Sequence, residues 1–498
     1  MTARSARPGP RAHSRVPRNG DSPPAPERRA PMDRSRSSTV AHMRNSQSVR
    51  AEKRVPGAQA APSARGRRQA PPPAPDPAGR PRGGRAGRVP GPSTLPRRAL
   101  ARLRRAWDRP LTGYYLVAGS AALIAGLGLV MVFSSSQIQA LRSGLPPTYY
   151  LRRQIMAAVI GAVLAVPAAR MSVKTHRWLA YPLLAGSVLL LALVQVPGLG
   201  RTVNGNTNWL DLGGPFVLQP SEFAKVAFVV WGADLLARKQ QHKLLGQWKH
   251  LLVPLVPGAL LLLGLMMLGG DMGTAVILCA VLFGLLWLAG APLRLFGAAL
   301  TGTALLATVL IMTAPHRVSR FACLGASDPG PSDQCWQVVH GLYALSTGGL
   351  FGNGIGASVE KWGQLPEPHT DFIFAVTGEE LGLFGTLSVL ALFAALFAGG
   401  LRIATRRNDP FVRLATGGIV TWLAAQTFIN LGGVLGLVPV AGVPLPLFSY
   451  GGSSLIATLY AVGLLLAAAR GEPAVRKALE GRWRRVRSTL PRLPGRRR

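Results

Sequence analysis

Acidic side chains are scarce in this chain: 20 Asp and Glu stand among 498 residues against 57 Lys and Arg, and charged residues make up only 15% beside 48% hydrophobic ones. A composition so poor in charge reads against a soluble domain and describes a membrane protein. The net charge of +37 suggests a nucleic-acid partner, but a nucleic-acid fold motif is missing, and the excess sits in the tails. Residues 1–109 hold 26 basic and 6 acidic groups, and residues 470–498 hold 11 and 2. Both tails are rich in Pro, Gly, Ser and Ala, and they read as disordered cytoplasmic arms lying against anionic lipid. An apolar run is absent from residues 1–109, which argues against a signal peptide there. His340 and His369 lack companions at metal-ligand spacing, which argues against a dedicated histidine metal site. GGLFGNGIG, residues 348–356, has no strand before it, so it is not a dinucleotide fingerprint and reads as a flexible outer loop or a re-entrant element.

What is abundant is long apolar sequence. Ten runs of the length a bilayer demands follow one another at about 113–135, 150–168, 178–196, 219–237, 251–268, 272–290, 295–314, 372–400, 411–434 and 453–469. The expected fold is an all-α polytopic membrane protein with a large outer loop between the seventh and eighth spans. Three parts result: a basic arm over 1–109, a transmembrane domain over 110–470 and a basic tail over 471–498. Alternate loops carry Arg170, Lys174 and Arg177, then Arg238, Lys239, Lys243 and Lys249, then Arg402, Arg406 and Arg407. By the positive-inside rule those loops and both termini are cytoplasmic. Residues 315–371 then lie outside, where Cys323 and Cys335 form either a disulfide or two free thiols, while Cys279 sits within a span.

A charge at mid-helix costs about 2.5–3.5 kcal/mol on insertion scales, so charges within these runs face a protein cavity. QPSEFAK puts Glu222 and Lys225 three apart, as a structural ion pair or as cavity groups; GGDMGTA places Asp271 at the end of a span. LPEPHTDFIFAVTGEELG, residues 365–382, sets Asp371 at the mouth of the eighth span, with Glu379 and Glu380 deeper, where hydrogen bonding between helices is their simplest use. Asp371 meets water, membrane and loop at once, so it is either a general base or a helix cap. Arg317 and Arg320 in HRVSRF are candidates to receive a diphosphate or to anchor at the interface.

QPSEFAK, DMGTA, RVSRF, GGLFGNGIG, LPEPHTDFIFAVTGEELG and PLPLFSYGGSS, taken together over residues 111–470, resemble the SEDS family of shape, elongation, division and sporulation proteins. The short spacing from GNGIG to LPE is closer to its division-type members than to its elongation-type ones. The resemblance implies a peptidoglycan glycosyltransferase that polymerises lipid II onto a growing glycan strand with inversion at the MurNAc anomeric carbon, releasing undecaprenyl diphosphate. It marks Asp371 as the catalytic carboxylate, and Glu222, Lys225, Asp271, Arg317, Arg320, Ser449 and Ser453 as substrate-binding residues. It implies a class B penicillin-binding transpeptidase and divisome proteins as partners at the septum, with at most a divalent cation as cofactor. A lipid II flippase and a non-catalytic scaffold are the rival readings. A flippase should need ionisable relays reaching both faces of the membrane.

Overall fold

The computed structural model describes residues 107–203, 205–211, 213, 217–312, 323 and 335–489. Almost all of the basic arm, the RVSRF motif and the last nine residues lie outside the described residues. Thirteen α-helices follow in chain order. They are α1 Thr112–Arg142, α2 Tyr149–Arg170, α3 Val173–Val194, α4 Pro220–Gln241, α5 Trp248–Leu252, α6 Leu255–Leu268, α7 Met272–Leu288, α8 Leu293–Met312, α9 Trp336–Thr347, α10 Ile373–Thr405, α11 Pro410–Val434, α12 Gly452–Arg470 and α13 Pro473–Thr489. Seven segments are long and apolar enough to cross a membrane: α1, α2, α3, the stretch Lys249–Leu268, α10, α11 and α12. The remaining three of the ten expected spans correspond to α4, α7 and α8.

α4 misses that test because it carries Glu222, Lys225, Asp234, Arg238 and Lys239, yet it is the best-buried helix, enclosed from Pro220 to Ala237 except at Phe223. The two facts have one cause. A helix with ionised groups is stable at membrane depth when other helices surround it, and α3, α7, α11 and α12 pack around α4. Elsewhere α2 lies against α12 and α1 against α10. Small residues set the closeness of α2 and α12: a Cβ on Gly463 would stand 2.6 Å from the Ala165 carbonyl oxygen.

Caps define several helix starts. Ser172, Asp271 and Asp409 accept the main-chain N–H of Thr175, Thr274 and Val412, and Pro220 and Pro410 open α4 and α11.

Three features were not legible in the apolar pattern. A three-stranded antiparallel sheet, β1 Gly200–Val203, β2 Asn206–Asp211 and β3 Val217–Leu218, links α3 to α4. Helix α9 follows Cys335, which is disulfide-bonded to Cys323 with the Cα atoms 5.1 Å apart. α10 is broken at Gly382, whose φ of 67° and ψ of −164° are far from helical. GGLFGNGIG fills the break: Asn353 and Gly354 donate to the Glu379 and Glu380 carbonyls, and Leu383 and Phe384 donate to those of Gly349 and Leu350. The carbonyls and amides that a broken helix leaves unpaired are thus satisfied by a second chain segment.

Candidate functional site

The segment leading into α10 is held at nearly every residue. Trp336 Nε1 on α9 donates to the Gln364 carbonyl, and Thr370 Oγ1 donates to Glu367 Oε2 at 2.9 Å. The His369 carbonyl accepts the Tyr450 N–H at 2.9 Å. The buried His369 ring forms a three-ring cluster with Tyr150 on α2, 4.7 Å away, and Tyr450, 5.3 Å away, the two tyrosine rings being 5.2 Å from each other. Its Nδ1 has no hydrogen-bond partner. Burial pushes the imidazole below the usual histidine range, opposed by the nearby Glu367 carboxylate, so the ring sits neutral in this stack. Gln154 on α2 clasps the facing loop at two points, donating to the Ser449 carbonyl and accepting the Gly451 N–H.

These contacts fix Asp371. The cap position of α10 belongs to Phe372, so Asp371 stands one residue outside the helix, half-buried. Its main-chain oxygen accepts Asn430 Nδ2 at 2.9 Å, and the same amide donates to the Val443 carbonyl at 2.9 Å. Asp371 lines a small, partly open cleft with Phe372, Asn430, Gly433, Ala441 and Gly442. Gly442 takes a positive φ of 67°, and a Cβ there would approach Asp371 Oδ2 to 3.7 Å, so the loop after α11 faces the carboxylate with little side-chain bulk.

One turn along α11 from Asn430, Gln426 donates to the Pro444 carbonyl and accepts from Lys225 Nζ and Trp422 Nε1, each at 2.8 Å. Lys225 also lies 2.8 Å from Glu222 Oε1. Asp371 and the Glu222–Lys225 pair are therefore joined through two amides on one face of α11. Lys225 and Glu222 are 0% and 1% exposed, so this pair is a buried strut in the arrangement seen. Asp271 is likewise engaged at both oxygens: Oδ1 caps α7, and Oδ2 accepts from Ser221 Oγ at 2.7 Å and Gln219 Nε2 at 3.3 Å. Ser449 Oγ accepts the Leu445 N–H, and Ser453 Oγ accepts the Gln219 N–H, so both hydroxyls tie turns together. Arg317 and Arg320 lie outside the described residues.

Glu380 makes the bond between helices expected of it, to Ser134, whereas Glu379 bonds to the loop before α10. Glu379 accepts from Ser358 Oγ and the Val359 N–H; Glu380 accepts from Ser134 on α1 and pairs with Lys361 Nζ at 2.7 Å. Asn430, Gln426, Gln154 and Lys361 are the site residues missed in the sequence. The first two carried a signal, being amides four apart inside an apolar run.

A family model described as cell cycle protein, covering FtsW, RodA and SpoVE, matches residues 114–473. The chain belongs to this family. The "probable peptidoglycan glycosyltransferase FtsW" of Mycobacterium tuberculosis is 40% identical over 391 residues, which cover 78% of this chain and 74% of that one. The crystal structure of the rod shape determining protein RodA of Thermus thermophilus is 31% identical with a TM-score of 0.52, covering 72% of this chain and 97% of that one. A chain of a peptidoglycan synthase complex, solved to explain how polymerization and crosslinking are coordinated, is 32% identical with a TM-score of 0.58, covering 71% and 96%. As a member of this family the chain is a multi-pass membrane protein, and the matched region runs from the third residue of α1 through α12 while leaving the basic arm outside it.

Proposed function

We propose that this peptidoglycan glycosyltransferase polymerises lipid II during septal wall synthesis, with Asp371 as general base. The observation that carries the reading is the placement of Asp371: outside its helix, on the rim of a cleft, with its main chain anchored by Asn430 and its approach segment clasped through His369. A base must be held relative to the hydroxyl it serves, and these contacts fix the main chain that carries it.

In the proposed step, Asp371 takes the proton from the 4-hydroxyl of the GlcNAc of an incoming lipid II. The freed oxygen attacks C1 of the reducing-end MurNAc of the growing strand. The C1–O bond to the diphosphate breaks, the electron pair leaves with undecaprenyl diphosphate, and the configuration at C1 inverts. Charge developing at C1 would be eased by the same carboxylate. Among the described residues no three His, Cys, Asp or Glu side chains converge. A divalent cation would thus meet one carboxylate on the cleft, Asp371, and take the rest of its oxygen shell from diphosphate and water. Its chemistry there would be to neutralise the leaving diphosphate.

The site end is read as the outer face and the termini as cytoplasmic, on the arginine and lysine asymmetry of the loops. The partner read for this chain is a class B penicillin-binding transpeptidase, supported by its likeness to a chain of a peptidoglycan synthase complex; divisome proteins would reach the cytoplasmic tails. A flippase finds less support. Between Lys225 and the buried Asp234, α4 offers Val226–Ala233, all apolar or glycine, and Asp234 is itself locked between Arg177 and Arg238 at 2.6 and 2.7 Å.

The test is purified Asp371→Asn protein given lipid II. The amide keeps size and main-chain bonds but takes no proton, and glycan polymer should fall on the order of 100- to 10,000-fold. Polymerisation near the wild-type rate would remove Asp371 from the chemistry and make Glu367 the next carboxylate to try.

A further inference from the structure

Helix α13 begins two residues after the membrane-crossing α12 ends, and nothing in the catalytic reading uses it. Its sequence, PAVRKALEGRWRRVRST, has Val475, Leu479, Trp483 and Val486 at i, i+4, i+8 and i+11, which the 3.6-residue period gathers into one apolar stripe. By the same period Arg476, Lys477, Arg482, Arg484, Arg485 and Arg487 fall outside that stripe, against a single Glu480. Val475 is buried, which seats the first turn on the bundle, while Arg476 and Lys477 are exposed and Leu479 is only half-buried. Arg407, on the turn after α10, extends this field: its guanidinium lies 3.0 Å from where a Cβ on Gly471, between α12 and α13, would stand.

We infer that α13 is an interfacial helix that lies on the leaflet where α12 emerges and binds anionic phospholipid. A helix with a narrow apolar stripe, a tryptophan in that stripe and a cationic remainder has the composition of one lying in the plane of a membrane surface. Six basic residues directly after a spanning helix are the number and place at which anionic headgroups are recognised. The attachment is covalent through α12, so the surface α13 meets is at hand from the moment the chain inserts. α12 runs unbroken from Gly452, next to the Ser449–Gly451 loop that Gln154 and His369 hold. A docked α13 therefore sets the depth of α12 and, through it, of that loop. This last consequence rests on the polymerase reading; the docking itself does not.

The experiment places an environment-sensitive nitrobenzoxadiazole label on a single cysteine in the full chain, with Cys279→Ala to remove the free thiol. The label goes at Trp483→Cys on the stripe or at Lys477→Cys opposite it. Each protein is reconstituted into phosphatidylcholine vesicles with and without about a third phosphatidylglycerol, a composition rich enough for the surface potential to act. A lipid-borne nitroxide should quench the label at 483 at least twofold more than at 477 in the anionic vesicles. That difference should shrink in high salt and in a variant with Arg476, Arg482, Arg484, Arg485 and Arg487 changed to Gln. Equal quenching at 483 and 477 in anionic vesicles would overturn the proposal and leave α13 to an acidic protein partner. Shielding at 483 that is the same in detergent as in either vesicle would also overturn it, by placing the stripe against the bundle. If the quenching difference holds but lipid II turnover ignores lipid composition, docking stands and its link to the site falls.

Discussion

Lys225→Met isolates the buried strut behind the candidate base. In the wild type, Lys225 Nζ is 2.8 Å from Glu222 Oε1, 2.8 Å from Gln426 Oε1 and 5.2 Å from the centre of the Trp422 ring. Methionine matches the length and the apolar stem but brings no donor. Glu222 Oε2 already lacks a hydrogen-bond partner, so the variant leaves a buried carboxylate with neither oxygen bonded by the lysine. Breaking one side of a buried ion pair costs about 3–5 kcal/mol, whereas replacing both sides by neutral groups of similar shape is often close to neutral. Lys225→Met should therefore unfold at clearly lower temperature in detergent, and Glu222→Gln combined with Lys225→Met should recover most of the loss. Since Gln426 keeps its bond to Pro444 in both variants, lipid II turnover measured below each unfolding transition should stay near the wild-type rate in both. A single variant as stable as wild type, or a double variant no better than the single, would refute this account of the pair.

The remaining expectations concern the break in α10 and the ring stack beside Asp371. Gly382→Ala puts a Cβ 2.4 Å from the Gly352 nitrogen at a φ of 67° and ψ of −164°, a region open essentially to glycine alone that costs other residues roughly 1–3 kcal/mol, so the 348–364 segment should loosen and become cleavable in limited proteolysis. Unchanged cleavage would show that the break is not held by these close contacts. For His369, whose folded pKa is depressed by burial, the unfolded segment binds the extra proton first, so stability from the stack is complete above about pH 6.5 and is lost as pH falls below it. Hydrogen exchange across 364–372 should accelerate on acidification, and His369→Phe, which stacks but does not titrate, should remove that dependence. An equal acid response in the phenylalanine variant would assign the effect to Glu367 instead.

The spans were legible because the bilayer imposes one rule on every residue within it, so hydropathy alone recovers α1, α2, α3, α10, α11 and α12 to within a few residues at most ends. The runs at 219–237 and 272–290 correspond to α4, whose charges lower its hydropathy, and to α7, which is only 17 residues long. What the apolar pattern did not carry lies where the chain leaves that solvent. The strands over 200–218 are short and partly exposed, and they are set by hydrogen bonds between segments rather than by an alternating face. The break at Gly382 had no local signal stronger than one glycine, because its cause is a loop about thirty residues earlier supplying the donors and acceptors.

The site shows the same division more sharply. A charged residue in a membrane helix announces that it has a partner, but its sequence neighbours do not say whether that partner is protein or substrate. Glu222, Lys225, Asp271, Ser449 and Ser453 were all visible as polar groups near one end, and in the arrangement seen each is bonded within the protein. What sets Asp371 apart is its place, just outside its helix on the rim of the cleft, with its main chain held by Asn430. Seeing that difference requires knowing which groups pair across α1, α4, α11 and the loop after α11, which is information of long range. Those pairings also say which substitutions report on what: changes at Glu222 or Lys225 should act first on stability and only through it on turnover, while Asp371→Asn should act on turnover with stability retained. A purified panel of these variants, scored for unfolding temperature and for polymer formed from lipid II, would separate the two groups or show that the division is wrong.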